Sequence, residues 1–160
     1  MHPRTLDWFT AYADSHRHPT NRLTHKVAIP AIVFHVVAML AWIPLGVTVG
    51  GLPVTGAWIG WVVTSVFWTL HLPRSGALLS LAVLPAALWG GLVDKPIVIA
   101  IAVVAWLVQL AGHVIWEKNS PAFLQNLLQA LVGPLFFVAV LIGEWPRPAV
   151  ASAVTGPEAA

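Results

Sequence analysis

Five apolar runs, each about as long as a bilayer is thick, constrain this chain more than any other feature. They cover Lys26 to Ile43, Val54 to Leu72, Ala77 to Leu92, Pro96 to Trp116 and Ala122 to Ile142, with Pro and Gly clustered between them. A helix needs about 20 apolar residues to cross ~30 Å of hydrocarbon. Five crossings are therefore predicted, with four as the alternative because the third run is short and carries Pro85. Composition agrees, since only 9% of residues are charged against about a quarter in soluble domains. The expected architecture is an all-α, polytopic helical membrane protein, with residues 1–143 as one membrane domain.

The flanks follow the same logic. Met1 to about Ala13 reads as a short amphipathic helix, with Leu6, Trp8, Phe9 and Tyr12 as its apolar surface, lying at the interface or capping the bundle. The first 25 residues are polar, so no cleaved leader is expected. Pro19 predicts a bend, and Thr20 or Asn21 the cap of the next helix. Pro44 to Pro53 and Pro73 to Gly76 read as loops. Glu144 to Ala160, rich in Pro, Ala, Ser and Gly, reads as a disordered tail. Arg4, Arg17, Arg22 and Lys26 precede the first run, whereas the next loop is uncharged, which predicts a cytoplasmic amino terminus. Five crossings then return His113 and Glu117 to the face where His16 and His25 lie.

The chain has no cysteine, so any metal would be held by nitrogen and oxygen. A net charge of +2, scattered along the chain, points away from nucleic acid. Gln109, His113 and Glu117 are spaced by four and form one polar stripe on a helix. Such a stripe either packs against a neighbour, for which Gln125, Asn126 and Gln129 are available, or lines a site. Asn21 and His25 repeat the spacing at the mouth of the first run. Imidazoles gathered on one face suit iron, zinc or copper. His18 reads as solvated, His35 as a buried hydrogen-bonding residue, His71 as a spare ligand and His2 as a surface residue. Nucleophile elbows, phosphate-binding glycine loops, H-E-x-x-H helices and the histidine boxes of membrane desaturases are all absent. A zinc hydrolase and a small non-catalytic membrane transporter or scaffold with polar packing stripes are both compatible with these residues.

The run His16, Pro19, Asn21, His25 and Pro30, followed by Gly112, His113, Glu117, Pro121, Ala122, Asn126, Gln129 and Pro134, resembles one family of small membrane proteins. That family, long grouped as a domain of unknown function, is typified by the yeast endoplasmic-reticulum 2-hydroxy fatty acid dioxygenase. The resemblance spans Tyr12 to about Phe137, although Val47 to Lys95 carries no matching motif. It implies an Fe(II)-dependent dioxygenase that shortens long-chain 2-hydroxy fatty acids by one carbon with O2 in an α-oxidation. Carried onto this chain, it implies His16, His25 and His113 as metal ligands and catalytic residues. Asn21 and Glu117 would join them as catalytic residues and, with Gln109 and Gln129, orient imidazoles or substrate, Glu117 being alternatively a direct ligand. The acyl chain would lie between the helices, at ~0.8 kcal/mol per buried methylene. The protein would sit in a bacterial inner membrane or endoplasmic reticulum, its site on the cytoplasmic side.

Overall fold

In the computed structural model, which describes residues 3–118 and 127–145, helices account for almost every element. Helix α1 (Pro3–Asp14) is joined by a bend to α2 (Pro19–Leu40). A hairpin of β1 (Pro44–Val49) and β2 (Leu52–Thr55) leads into α3 (Gly56–His71), α4 (Pro73–Trp89), α5 (Lys95–Ala111) and α6 (Leu128–Leu141). Among the described residues, three helical stretches are long and apolar enough to cross a membrane: Pro19–Leu40, Pro73–Leu92 and Lys95–Glu117. Helix α3 has 16 residues and α6 has 14, short of the length a crossing requires. Most of the predicted fifth run lies in α6, while Gln125 and Asn126 fall outside the described residues.

Three local differences from the sequence expectation have physical causes. Helix α2 begins at Pro19 rather than at Thr20 or Asn21, and His18 is its cap, its Nδ1 accepting from the Thr20 N–H at 3.2 Å. Proline is pre-organised for a first helical position, where its missing N–H costs nothing. The same rule puts Pro73 at the start of α4, so the expected loop of Pro73 to Gly76 is helical and only Leu72 separates α3 from α4. Gly76 permits that close turn, because a Cβ there would overlap the Trp68 backbone. Most of the predicted loop Pro44 to Pro53 is instead an antiparallel hairpin. Gly50 and Gly51 supply its turn with φ of +57° and +81°, the left-handed pair that two-residue hairpins favour.

The core gathers one face of each helix. Phe9 and Tyr12 of α1 pack on Phe136 of α6, with ring centroids 5.2 and 4.9 Å apart, so α1 is docked across one end of the bundle. Trp68 donates its indole N–H to the Leu131 carbonyl at 2.9 Å, tying α3 to α6. Glu144 and Trp145, assigned to the tail by composition, pack here too. The Glu144 carboxylate accepts from the Ser75 N–H at 3.2 Å and from its hydroxyl, and Trp145 stacks edge-on to Phe9. Around this core the outward faces remain apolar, with Val62, Leu70, Val103 and Leu107 all exposed. Outward apolar faces of that extent are what lipid would cover.

Candidate metal centre

Helices α2 and α5 run antiparallel and in close contact, so the first turns of α2 meet the end of α5. Gly112 makes the approach possible: a Cβ there would collide with the Asn21 side-chain oxygen and sit 2.6 Å from the Thr24 hydroxyl. From Gly112 to Glu117 the helix widens into a π turn. Turns of this kind recur at functional sites, because the inserted residue re-aims its neighbours. Here the turn carries His113 into the bundle, where it is 1% exposed.

His16, from the bend between α1 and α2, joins His25 and His113 in one buried cluster in which one ring nitrogen from each lies within 4.8 Å of the other two. His25 Nε2 is 3.0 Å from His16 Nε2 and 3.1 Å from His113 Nε2. The opposite edges of two rings decide what those nitrogens can do. His16 Nδ1 lies 2.6 Å from the Tyr12 carbonyl and His25 Nδ1 lies 2.8 Å from the Asn21 carbonyl. A carbonyl only accepts, so each Nδ1 carries the ring proton and each Nε2 presents a lone pair. Two lone pairs facing each other at 3.0 Å cannot bond to each other. The Gln109 amide N–H donates to His25 Nε2 at 2.7 Å and relieves one of them.

A cation answers the remaining frustration. Nitrogens about 3 Å apart are spaced as neighbouring donors around one ion with bonds of about 2.1 Å. Backbone carbonyls on the far ring nitrogens are the usual support for metal-bound imidazoles. The residues therefore fit a metal ion held by three neutral histidines. Burial favours that neutral form: desolvation pulls the His16 pKa down to about 4, against the raising effect of the Tyr12 carbonyl.

The other predicted residues take distinct places. Glu117 stands outside the cluster, its Oε1 accepting from the His18 backbone N–H at 2.8 Å and from Asn21 Nδ2 at 3.1 Å. It caps the amino terminus of α2, where a negative charge also suits the helix dipole. Asn21, fully buried, thus links Glu117 through its side chain to His25 through its carbonyl. Gln129 is buried beside His16 and His113 with its Oε1 unpartnered. His71 lies apart from the cluster, bonded to the Phe67 carbonyl at 2.7 Å and packed on Trp8. His35 is buried farther along α2, 6.3 Å from the Trp106 ring, and both its ring nitrogens lack partners.

Two contributors escaped the sequence reading as site residues. Tyr12, taken as apolar surface of α1, stacks on His16 with centroids 4.0 Å apart and supplies the carbonyl that fixes its tautomer. Its position four residues before His16 was the available signal. Gly112 stood in a recognised motif, but only the packing of α2 on α5 reveals its steric role.

The profile of the family described as "2-hydroxy-palmitic acid dioxygenase Mpo1-like" matches residues 4–145. Among curated proteins, the chain is 31% identical over 133 residues to 2-hydroxy-palmitic acid dioxygenase MPO1 of Saccharomyces cerevisiae, covering 79% of this chain and 72% of the yeast protein. No solved structure matches. With the profile running from α1 past α6, and the yeast protein aligned over most of the chain, this protein belongs to the Mpo1-like family.

Proposed function

We propose that the protein is an Fe(II)-dependent dioxygenase, embedded in the membrane, that removes one carbon from long-chain 2-hydroxy fatty acids. The observation that carries this is the convergence of three histidine Nε2 atoms, two of them committed as lone pairs by main-chain carbonyls. The yeast relative's name supplies the substrate class and the use of O2.

His16, His25 and His113 would hold the iron, which when bound supplies the redox chemistry that O2 requires. The protein's own groups do the remainder. The Tyr12 and Asn21 carbonyls keep the ring protons on Nδ1, so the ligating nitrogens stay unprotonated. Glu117 holds the first turn of α2 against the end of α5, and thereby His25 against His113. The unpartnered amide oxygens of Gln109 and Gln129 suit a substrate hydroxyl, which would donate to one of them and be oriented by it. An acid lacking that hydroxyl would leave both buried acceptors unsatisfied, which selects against it.

Beside the three longer stretches we favour α3 as a further, shorter crossing. Ala38 of α2 and Gly90 after α4 are neighbours, so α2 and α4 end at the same level, and α3 must return the chain between them. The basic residues around α2 support a cytoplasmic position for the site.

The test is metal analysis of the full chain, purified in detergent and loaded anaerobically with Fe(II), together with O2 uptake on adding 2-hydroxypalmitic acid. Near-stoichiometric iron and substrate-dependent uptake, both lost in His113→Ala, are expected. Iron that is absent from the wild type, or retained by the variant without oxygen consumption in either, would overturn the assignment.

A further inference from the structure

Three cavities meet around one side chain. The smallest, of 70 Å³, lies against His16 and His113. A second, of 490 Å³, borders His16 and His25 and carries Arg17, Arg22 and Lys26. A third, of 550 Å³, opens between α2, α4 and α6, and among the described residues no ionisable side chain lines it. Ile29, one turn beyond His25, borders all three. Val33 and Pro134 form the rest of the wall shared by the smallest and the largest.

The largest cavity also has an unusual lining. Helices α2, α4 and α6 each contain one interior proline, Pro30, Pro85 and Pro134, and all three border this space. A proline inside a helix removes a backbone hydrogen bond, and its ring is tied back to the main chain and cannot reach across a gap. Three helices that each place one on the same cavity keep it open.

We propose that this cavity receives the alkyl tail of a single-chain amphiphile whose anionic head lies at the histidines. The tail passes through the seam of Ile29, Val33 and Pro134, and Trp89, on the last turn of α4, bounds the far end. Charge decides the orientation. The cations border only the second cavity, which faces a carboxylate, while the uncharged third suits hydrocarbon. At 550 Å³ the space falls within the ~300–1,000 Å³ of ligand pockets generally. A tail arriving from the bilayer is already in an apolar medium, so burial there adds little affinity. The cavity acts instead as a ruler, admitting tails that fit and orienting the reacting carbon. This inference rests on the dioxygenase reading for the identity of the head group.

The experiment uses the full chain in phosphatidylcholine nanodiscs and 2-hydroxypalmitic acid carrying a diazirine at its terminal carbon, with cross-links mapped by mass spectrometry. Labelling should fall on α4 between Leu79 and Trp89. Ala86→Trp, which fills the cavity, should cut that labelling and lower kcat/KM for 2-hydroxypalmitic acid about tenfold relative to 2-hydroxyoctanoic acid. If Ala86→Trp does not fold, Leu141→Trp on the opposite wall serves the same purpose. Labelling confined to outward residues such as Val62 and Val103, or unchanged by the filled cavity, would overturn the proposal. Cavity labelling without O2 uptake would uphold tail binding and sink the dioxygenase reading; uptake with outward labelling would do the reverse.

Discussion

The Glu117 carboxylate accepts the backbone N–H of His18 at 2.8 Å, joining residues 99 apart in sequence. The end of the π turn thereby caps the start of α2. Removing that cap should loosen the site without removing a ligand. Glu117→Ala is expected to cost about 1.5–3 kcal/mol, the range for hydrogen bonds to a charged group, and to weaken iron binding while leaving its stoichiometry at wild type. Glu117→Gln should recover part of both. Thermal unfolding in detergent and metal titration read the two effects, and complete loss of iron in Glu117→Ala would make this residue a ligand.

Histidine position, rather than histidine content, should decide metal binding. His16→Ala, His25→Ala and His113→Ala are each expected to lower iron content severely, whereas His71→Ala, apart from the cluster, should bind as wild type. Metal analysis of the four variants after identical loading checks this. Equal loss in His71→Ala would point to a site the geometry does not contain.

Steric change at one glycine should act through the same interface. Gly112→Ala places a methyl group against Asn21 and Thr24, and overpacking of this kind costs typically about 1–3 kcal/mol. Iron affinity should fall with it, because His113 is the next residue and moves with the turn. A variant with wild-type stability and affinity would mean that α2 and α5 are not pressed together at this level.

Acid should destabilise the metal-free protein through His16. Its folded-state pKa is lowered from 6.5 to about 4, so between those values the unfolded chain binds more protons than the folded one. The contribution is present above about pH 6.5 and lost as pH falls through about 4, reaching on the order of 3 kcal/mol. His16→Asn, which keeps an N–H for the Tyr12 carbonyl but does not titrate, should lose less stability over that interval. Unfolding at several pH values between 7.5 and 4, compared between the two proteins, measures the difference. Parallel curves would show that His16 is not held neutral by burial.

The meeting of His16, His25 and His113 could be read from the sequence because it depends on coarse features. A proline bend returns His16 towards His25, and apolar runs of bilayer length bring the end of one helix back to the start of another. Finer placements were not readable. Spacing by four put Gln109, His113 and Glu117 on one α-helical stripe, but the π turn separates their tasks, sending His113 inward and Glu117 to the α2 terminus. Whether a helix widens there depends on what it packs against, and the partner surface, with Asn21 at its centre, lies 96 residues from Glu117 in sequence. The hairpin was hidden for another reason. All six residues of β1 are exposed, so it has no buried face to impose the alternation that marks a strand.

That hairpin follows the far end of α2 and carries no charged residue. Because the chain also lacks cysteine, a single Val47→Cys in an exposed strand position would be the sole thiol in the molecule. A reagent unable to cross the bilayer would then label it from one side only. The hairpin is thus a reporter of which compartment faces the end of the protein opposite the histidines, readable without disturbing them.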